Sequence, residues 1–260
     1  MVALSEIVEF LDQHLPPYHC SDASFNGLQV ENNGFIERVY LAVDASVDIF
    51  NKTPSPDNAL FIVHHGLFWR KQDVRIVGPL GQKVKFLMQH NAALYASHLP
   101  LDIHPEFGNN AQMLQLLGIQ KEKFQPFGSY HGSPIGLWAD FEEDQSMAHI
   151  LEKVSSFSPI PFQFLRGKKT AIKRVAVITG GGCDFVNEAQ QINADLFITG
   201  EFSLQSYTYS KEVGINVLYL THYGSEKWGV IKFGELIKKS FSLDCVFLDA
   251  CPLTTWINVS

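Results

Sequence analysis

Three short runs gather imidazole and carboxylate side chains at the ends of apolar segments. His64-His65-Gly66 follows Ala59-Leu60-Phe61-Ile62-Val63. Ser97-His98-Leu99-Pro100-Leu101-Asp102-Ile103-His104-Pro105 follows Ala92-Ala93-Leu94-Tyr95-Ala96, and Thr221-His222-Tyr223-Gly224-Ser225-Glu226 follows Val217-Leu218-Tyr219-Leu220. All three offer nitrogen or oxygen donors and none offers a thiolate. Such a set suits zinc, iron, manganese or a similar divalent ion, and a carboxylate shared between metals suits two ions about 3.5–4 Å apart.

Each run also has a plainer reading. A His-His pair is more often structural than metal-binding, because adjacent strand side chains point to opposite faces. Both can serve one site only if the chain turns, as Gly66 allows. Asp102 can cap a helix that Pro105 opens at its first turn, which stabilises by about 1 kcal/mol with no ligand. Ser225 or Glu226 can cap a helix that Glu226 begins, favoured there by the helix dipole. Recurrence at three strand ends shifts the balance toward a shared site, since open α/β sheets place ligands at strand C-termini.

The elements that must position these residues follow from hydrophobic spacing. Leu4, Ile7, Val8, Leu11 and Leu15 recur at helical period until Pro16-Pro17, predicting a helix over 3–15. Short apolar runs at 39–43, 59–63 and 92–96, separated by helix-length segments, have the rhythm of a βαβ sheet. The rhythm returns at 175–178, 195–198 and 217–220, with helical patterns over 184–192, 203–213 and 226–239. Between them Gly132-Ser133-Pro134 and Pro159-Ile160-Pro161 punctuate a less regular, β-rich stretch with one helix near 144–155. The expected organisation is an α/β fold of two lobes: 1–120, a connecting segment over 121–170, and 171–260.

Composition narrows the function classes. The 260 residues include 20 Lys+Arg against 27 Asp+Glu, a net charge of −7 that argues against a nucleic-acid-coating protein. Cys20, Cys183, Cys245 and Cys251 form no CxxC pair or dense disulfide pattern, as in a reducing cytoplasm. The early acidic residues Glu6, Glu9 and Asp12 do not fit a signal peptide, and no apolar run approaches the ~20 residues of a membrane span. A soluble, cytoplasmic protein with no membrane partner is expected.

Other motifs are weaker. Thr179-Gly180-Gly181-Gly182-Cys183-Asp184 matches neither nucleotide-loop pattern and reads better as a tight turn admitting a neighbouring backbone than as an anion cradle. Cys183 has no nearby basic residue in sequence to activate it and reads as packing. Phe202, Leu204, Tyr207 and Tyr209 read as packing residues, not as a platform for stacked bases.

Taken together, the motifs resemble one family. Ser24-Phe25-Asn26-Gly27-Leu28-Gln29-Val30, His64-His65-Gly66-Leu67-Phe68-Trp69 and the run from His98 through Asp102 to Asn109-Asn110 are similar to its N-terminal motifs. Thr179-Gly180-Gly181-Gly182, Thr199-Gly200-Glu201 and His222-Tyr223-Gly224-Ser225-Glu226 continue the match in order over nearly the whole chain. This is the NGG-interacting-factor-three-like family, whose bacterial members are often labelled GTP cyclohydrolase I type 2 homologues. The resemblance implies two α/β lobes with a dinuclear metal centre at their interface, assembled as a toroidal homohexamer.

By resemblance the ligands of two divalent ions per chain are His64, His65, Asp102, His222 and Glu226, with Glu226 bridging. His98 and Glu201 belong to the same motifs as candidates for orienting ligands or moving protons. Thr221 stands where many relatives carry Gly. The short 121–170 stretch suggests that the inserted middle domain of longer members is absent. The implied function is a metal-dependent hydrolase acting on a small nucleotide-like or phosphate-bearing molecule. The alternative is a non-catalytic metal-binding scaffold acting through protein partners.

Overall fold

A computed structural model describes residues 1–18, 20–158 and 160–250. Pro159 and Cys251, used in the sequence reading, lie outside the described residues. The described chain divides into two compact units, Met1–Leu101 with Gly229–Ala250, and Asp102–Trp228. Sequence order runs β1 (Val2–Ala3), α1 (Leu4–His14), β2 (Gly27–Val30), β3 (Phe35–Ile36), β4 (Arg38–Asp44), α2 (Val47–Lys52), β5 (Ala59–His65), α3 (Gly78–Gln89), β6 (Ala93–Ala96) and α4 (Leu99–Asp102). It continues with α5 (Asn109–Leu116), β7 (Gln125–Tyr130), β8 (Ser133–Ser146), α6 (Met147–Phe157), β9 (Gln163–Leu165), β10 (Ala171–Ile178), α7 (Val186–Gln191) and β11 (Leu196–Thr199). Last come α8 (Leu204–Val213), β12 (Asn216–Tyr219), α9 (His222–Phe241) and β13 (Asp244–Phe247).

The first unit is built on a five-stranded sheet of order β13-β4-β5-β6-β2. The first four strands are parallel and β2 is antiparallel to β6. Parallel strands are covered on both faces, so their apolar runs do not alternate with polar residues. Tyr40, Ala42, Phe61, Val63 and Leu94 pack on one side with Ile49 and Phe50 of α2 and Leu87 of α3. α1 buries Leu4, Ile7 and Leu11, as its spacing predicts, and Leu15 closes it with a hydrogen bond to Leu11 O before Pro16. A fully buried side chain such as Phe61 contributes about 1.5–3 kcal/mol over an exposed one.

The second unit carries a six-stranded sheet of order β7-β8-β10-β11-β12-β9, parallel across β10–β12 and antiparallel toward its edges. Alternation assigns its faces. Val175, Val177, Leu196 and Ile198 pack with α5 and α6, whereas Ala176, Ile178 and Phe197 pack with Val186 and Ala189 of α7. Within 121–170, β7, β8 and β9 all hydrogen-bond into this sheet. β8 runs through Ser146, so the helix expected near 144–155 begins at Met147, capped by Ser146 Oγ accepting from His149 N.

Two helix starts differ from expectation. Pro105 opens no helix: His104 Nδ1 accepts the N–H groups of Glu106 and Phe107, which holds a turn, and α5 starts at Asn109. α9 starts at His222 instead of Glu226, because Thr221 Oγ1 accepts from Gly224 N and Ser225 N bonds Thr221 O. The segment 184–192 is divided between a 3-10 turn, Gly182–Phe185, and α7. Among the described residues no helix is long and apolar enough to cross a membrane.

Candidate metal site

In the first unit β5 ends on His64 and His65, and His98 follows β6 on the neighbouring strand. The rings gather at centroid separations of 4.6 Å (His64–His65), 5.0 Å (His64–His98) and 5.6 Å (His65–His98). One ring nitrogen from each lies within 4.8 Å of the others, a spacing that could hold a metal ion. The chain leaves the cluster at Gly66, where an added Cβ would run into the Cβ of Ala96 and the amide of Gln29. Gly66 therefore serves close approach, not a left-handed turn, and Gln29 Oε1 accepts the next N–H, from Leu67, at 2.7 Å.

Each imidazole is oriented through Nδ1. His64 Nδ1 bonds Ser97 O at 2.9 Å, His65 Nδ1 bonds Asp44 Oδ1 at 2.8 Å, and His98 Nδ1 bonds Asp22 Oδ1 at 2.8 Å. All three partners are acceptors, so Nδ1 carries a proton, and in the neutral ring the lone pair is on Nε2, through which each imidazole could hold a metal ion. Asp44 faces His65 directly in the β4–β5 register. Asp22 is buried and also accepts from Ser24 N, Asn26 Nδ2 and Leu99 N. Burial alone would raise its pKa, but the hydrogen bond and charge of His98, with Asn26 and Ser24, bring it down to about 2. Trp69 lies edge-on to His98 at 5.0 Å.

The second unit presents Asp102, His222 and Glu226. Asp102 ends α4 and is buried, its Oδ1 accepting from Asn109 Nδ2 at 2.8 Å and Thr179 Oγ1 at 3.3 Å. Asn110 fixes the same corner by donating to Asp102 O and Ile135 O and accepting from Thr179 N. His222 and Glu226 lie at i and i+4 on α9, so they share one helix face. His222 Nε2 is 3.0 Å from Glu226 Oε2, and His222 Nδ1 is 2.6 Å from Glu201 Oε1. A carboxylate oxygen of Asp102 comes within 4.8 Å of one of Glu226.

Space for the Glu226 carboxylate exists because residue 180 has no side chain. A Cβ there would overlap Glu226 Oε1 and approach His222 Nε2 to 3.1 Å, and its φ of +60° is left-handed. Gly180 N donates to Ser225 Oγ, Ser225 Oγ donates to His222 O, and Gly180 O accepts from Gly200 N and Glu201 N. The glycine run is thus a tight turn admitting neighbours, as the sequence suggests. Cys183 is buried within it.

The donor chemistry fits a divalent metal. With Nδ1 bonded to Glu201, His222 Nε2 lies 3.0 Å from a carboxylate oxygen of Glu226, a nitrogen-and-oxygen pair that either a proton on Nε2 or a divalent ion held by both groups would satisfy. Sequence reasoning missed Asp44 and Asp22. Their only signal is position, Asp44 at the end of an apolar strand and Asp22 shortly before Ser24-Phe25-Asn26. His104 joins none of the metal-type groups among the described residues.

Comparison with known proteins agrees over nearly the full length. Residues 2–252 match the model of the family described as Duf34/NIF3 (NGG1p interacting factor 3). A protein of Archaeoglobus fulgidus named GTP cyclohydrolase 1 type 2 homolog is 39% identical over 246 residues, covering 95% of this chain and 97% of its own. One of the same name from Haemophilus influenzae is 33% identical, covering 94% and 96%. Among solved structures, TTHA1606 of Thermus thermophilus superposes with a TM-score of 0.85 at 32% identity, and the protein ybgI, described as of unknown function, with 0.85 at 29%. Both cover 95% of this chain and 98% of their own. Matched over residues 2–252 in sequence and over 95% of its length in a mixed α/β fold, the chain belongs to the DUF34/NIF3 family.

Proposed function

We propose that the protein is a dinuclear-metal-dependent hydrolase of a small nucleotide-like or phosphate-bearing substrate, in line with the name its relatives carry. The observation that carries this reading is the set of four histidines, each engaged at Nδ1 by an acceptor, together with the His222–Glu226 pair. The residues that would hold two divalent ions are His64, His65, Asp102, His222 and Glu226, with Glu226 the carboxylate they would share. Bound metal would supply a water of lowered pKa and polarise the substrate oxygen.

The protein's own groups do the rest. Glu201 holds the proton on His222 Nδ1 and so keeps Nε2 directed at Glu226. Asp22 does the same for His98, leaving Nε2 of His98 as the base that takes and returns a proton. The buried carboxylates of Asp102 and Glu226 set the negative charge that selects a cation over a neutral ligand. We take the working assembly to be a homohexamer, which sedimentation of the purified protein would check.

Elemental analysis before and after chelation, with turnover of a panel of nucleotides and phosphoesters at each stage, tests the proposal. Near two metals per chain and activity restored by re-addition are expected. Glu226→Gln should lose metal and activity together, and activity that survives complete metal loss would refute the hydrolase. Full metal occupancy without turnover would favour the scaffold reading suggested by the family description as an interacting factor.

A further inference from the structure

Parallel strands β10, β11 and β12 open their C-terminal ends onto one rim of the second unit's sheet. Gly180-Gly181, Glu201-Phe202 and Thr221-His222 follow them in turn. The side chains just beyond β11 do not share the buried role that their sequence suggests. Tyr209 packs against the apolar cluster under α7, but Phe202 is 51%, Leu204 74% and Tyr207 38% exposed. The Phe202 ring stands 5.8 Å from Tyr207 at 56° and 5.6 Å from Tyr219 at 76°. Two neighbouring rings therefore hold it in place while about half of it meets water.

Leaving such side chains exposed forgoes the stabilisation that burial would bring, and an apolar patch with a polar border is a common mark of binding. The border here is chemical. Glu201, the chain neighbour of Phe202, bonds His222 Nδ1, and its side chain is half exposed. Three side chains fall far short of the roughly 800 Å² per partner that a stable protein interface buries. A membrane-binding helix would carry several cations, and α8 has only Lys211. A flat ring fits best, because an immobilised aromatic face stacks any planar heterocycle and needs no large area.

We propose that Phe202, flanked by Tyr207, is a stacking platform for the planar heteroaromatic ring of a small molecule whose polar end lies toward Glu201 and His222. The proposal deepens the hydrolase reading by naming the substrate class, and relies on that reading only for the polar end. Calorimetric titration of the metal-loaded protein with adenosine 5′-monophosphate and with ribose 5-phosphate should show about tenfold tighter binding of the ring-bearing ligand. Phe202→Ala should abolish that ratio and Phe202→Tyr keep it, with metal content and sedimentation unchanged in both.

Equal affinities in the wild type, or a ratio that survives Phe202→Ala, would overturn the platform. So would a change in sedimentation on Phe202→Ala, which would show that a second copy covers the patch. Adenosine against ribose, tested on metal-free protein, reads the ring preference without any phosphate. Loss of the hydrolase proposal through absent metal or turnover is thereby separated from loss of this one.

Discussion

The two units hold donor groups of the same kind by different means. In the first, three imidazoles leave adjacent strand ends and are aimed by acceptors at Nδ1: Ser97 O, Asp44 and Asp22. In the second, helical spacing sets His222 against Glu226, and the missing side chain of Gly180 makes room for the carboxylate. Hydrogen bonding decides which nitrogen faces a ligand, whereas excluded volume decides where a carboxylate can lie. The first arrangement is sensitive to loss of one acceptor. The second is sensitive to gain of one methyl group.

The largest effect should therefore come from Gly180→Ala. A left-handed alanine costs about 1–2 kcal/mol and overpacking a further 1–3 kcal/mol. Denaturant unfolding should show a loss in that range, with metal content reduced because the Glu226 carboxylate is displaced. Unchanged metal and stability would mean that steric room does not fix the second cluster. Asp44→Ala should lower metal affinity about 10–100-fold in competition with a chelator. The unfolding midpoint should barely move, because Asp44 is half exposed at the end of its strand. A full-strength site in that variant would remove the contrast between the units.

Asp22 gives a pH signature. Its carboxyl is held at about 2 in the folded protein, below the ordinary value of 3.8 that it regains on unfolding. Lowered in the folded state, it contributes stability that is complete above the ordinary value and disappears as pH falls from near 4 to near 2. The difference corresponds to about 2 kcal/mol. Metal-free wild type should lose that stability over this window, measured by denaturant unfolding at each pH, and Asp22→Asn should show a flatter profile.

The smallest effect is expected at Thr221, a β-branched residue at φ 65° directly before His222. Thr221→Gly relieves about 1 kcal/mol or more of strain and gives back a few tenths through the lost cap to Gly224 N. A rise in melting temperature of roughly 1–3 °C should follow. A fall would show that the hydroxyl cap outweighs the backbone strain. Glycine is the residue that this left-handed backbone prefers.

The inner parallel strands β4–β6 and β10–β12 were legible as short apolar runs because both faces of each sheet are covered, and each falls within a residue or a few of its run. Edge strands were harder to read. β13 alternates exposed and half-buried residues over four positions, too short a pattern to stand out. The two helix starts were misplaced because single side chains, His104 and Thr221, settle them through local hydrogen bonds. Exposure of Phe202 was illegible because its apolar character reads the same on either side of a surface.

The sequence by itself determined the α/β class, the family and the strand-end residues that could hold a metal ion, since hydrophobic period and donor type are local properties. Only tertiary structure decided which groups orient those residues. Asp44 stands 21 positions from His65, Asp22 stands 76 from His98, and Gly180 lies on a different strand end from Glu226. Tautomer and steric room are set by atoms brought together through strand register and loop geometry, and neither has a signature in the spacing of residues along the chain.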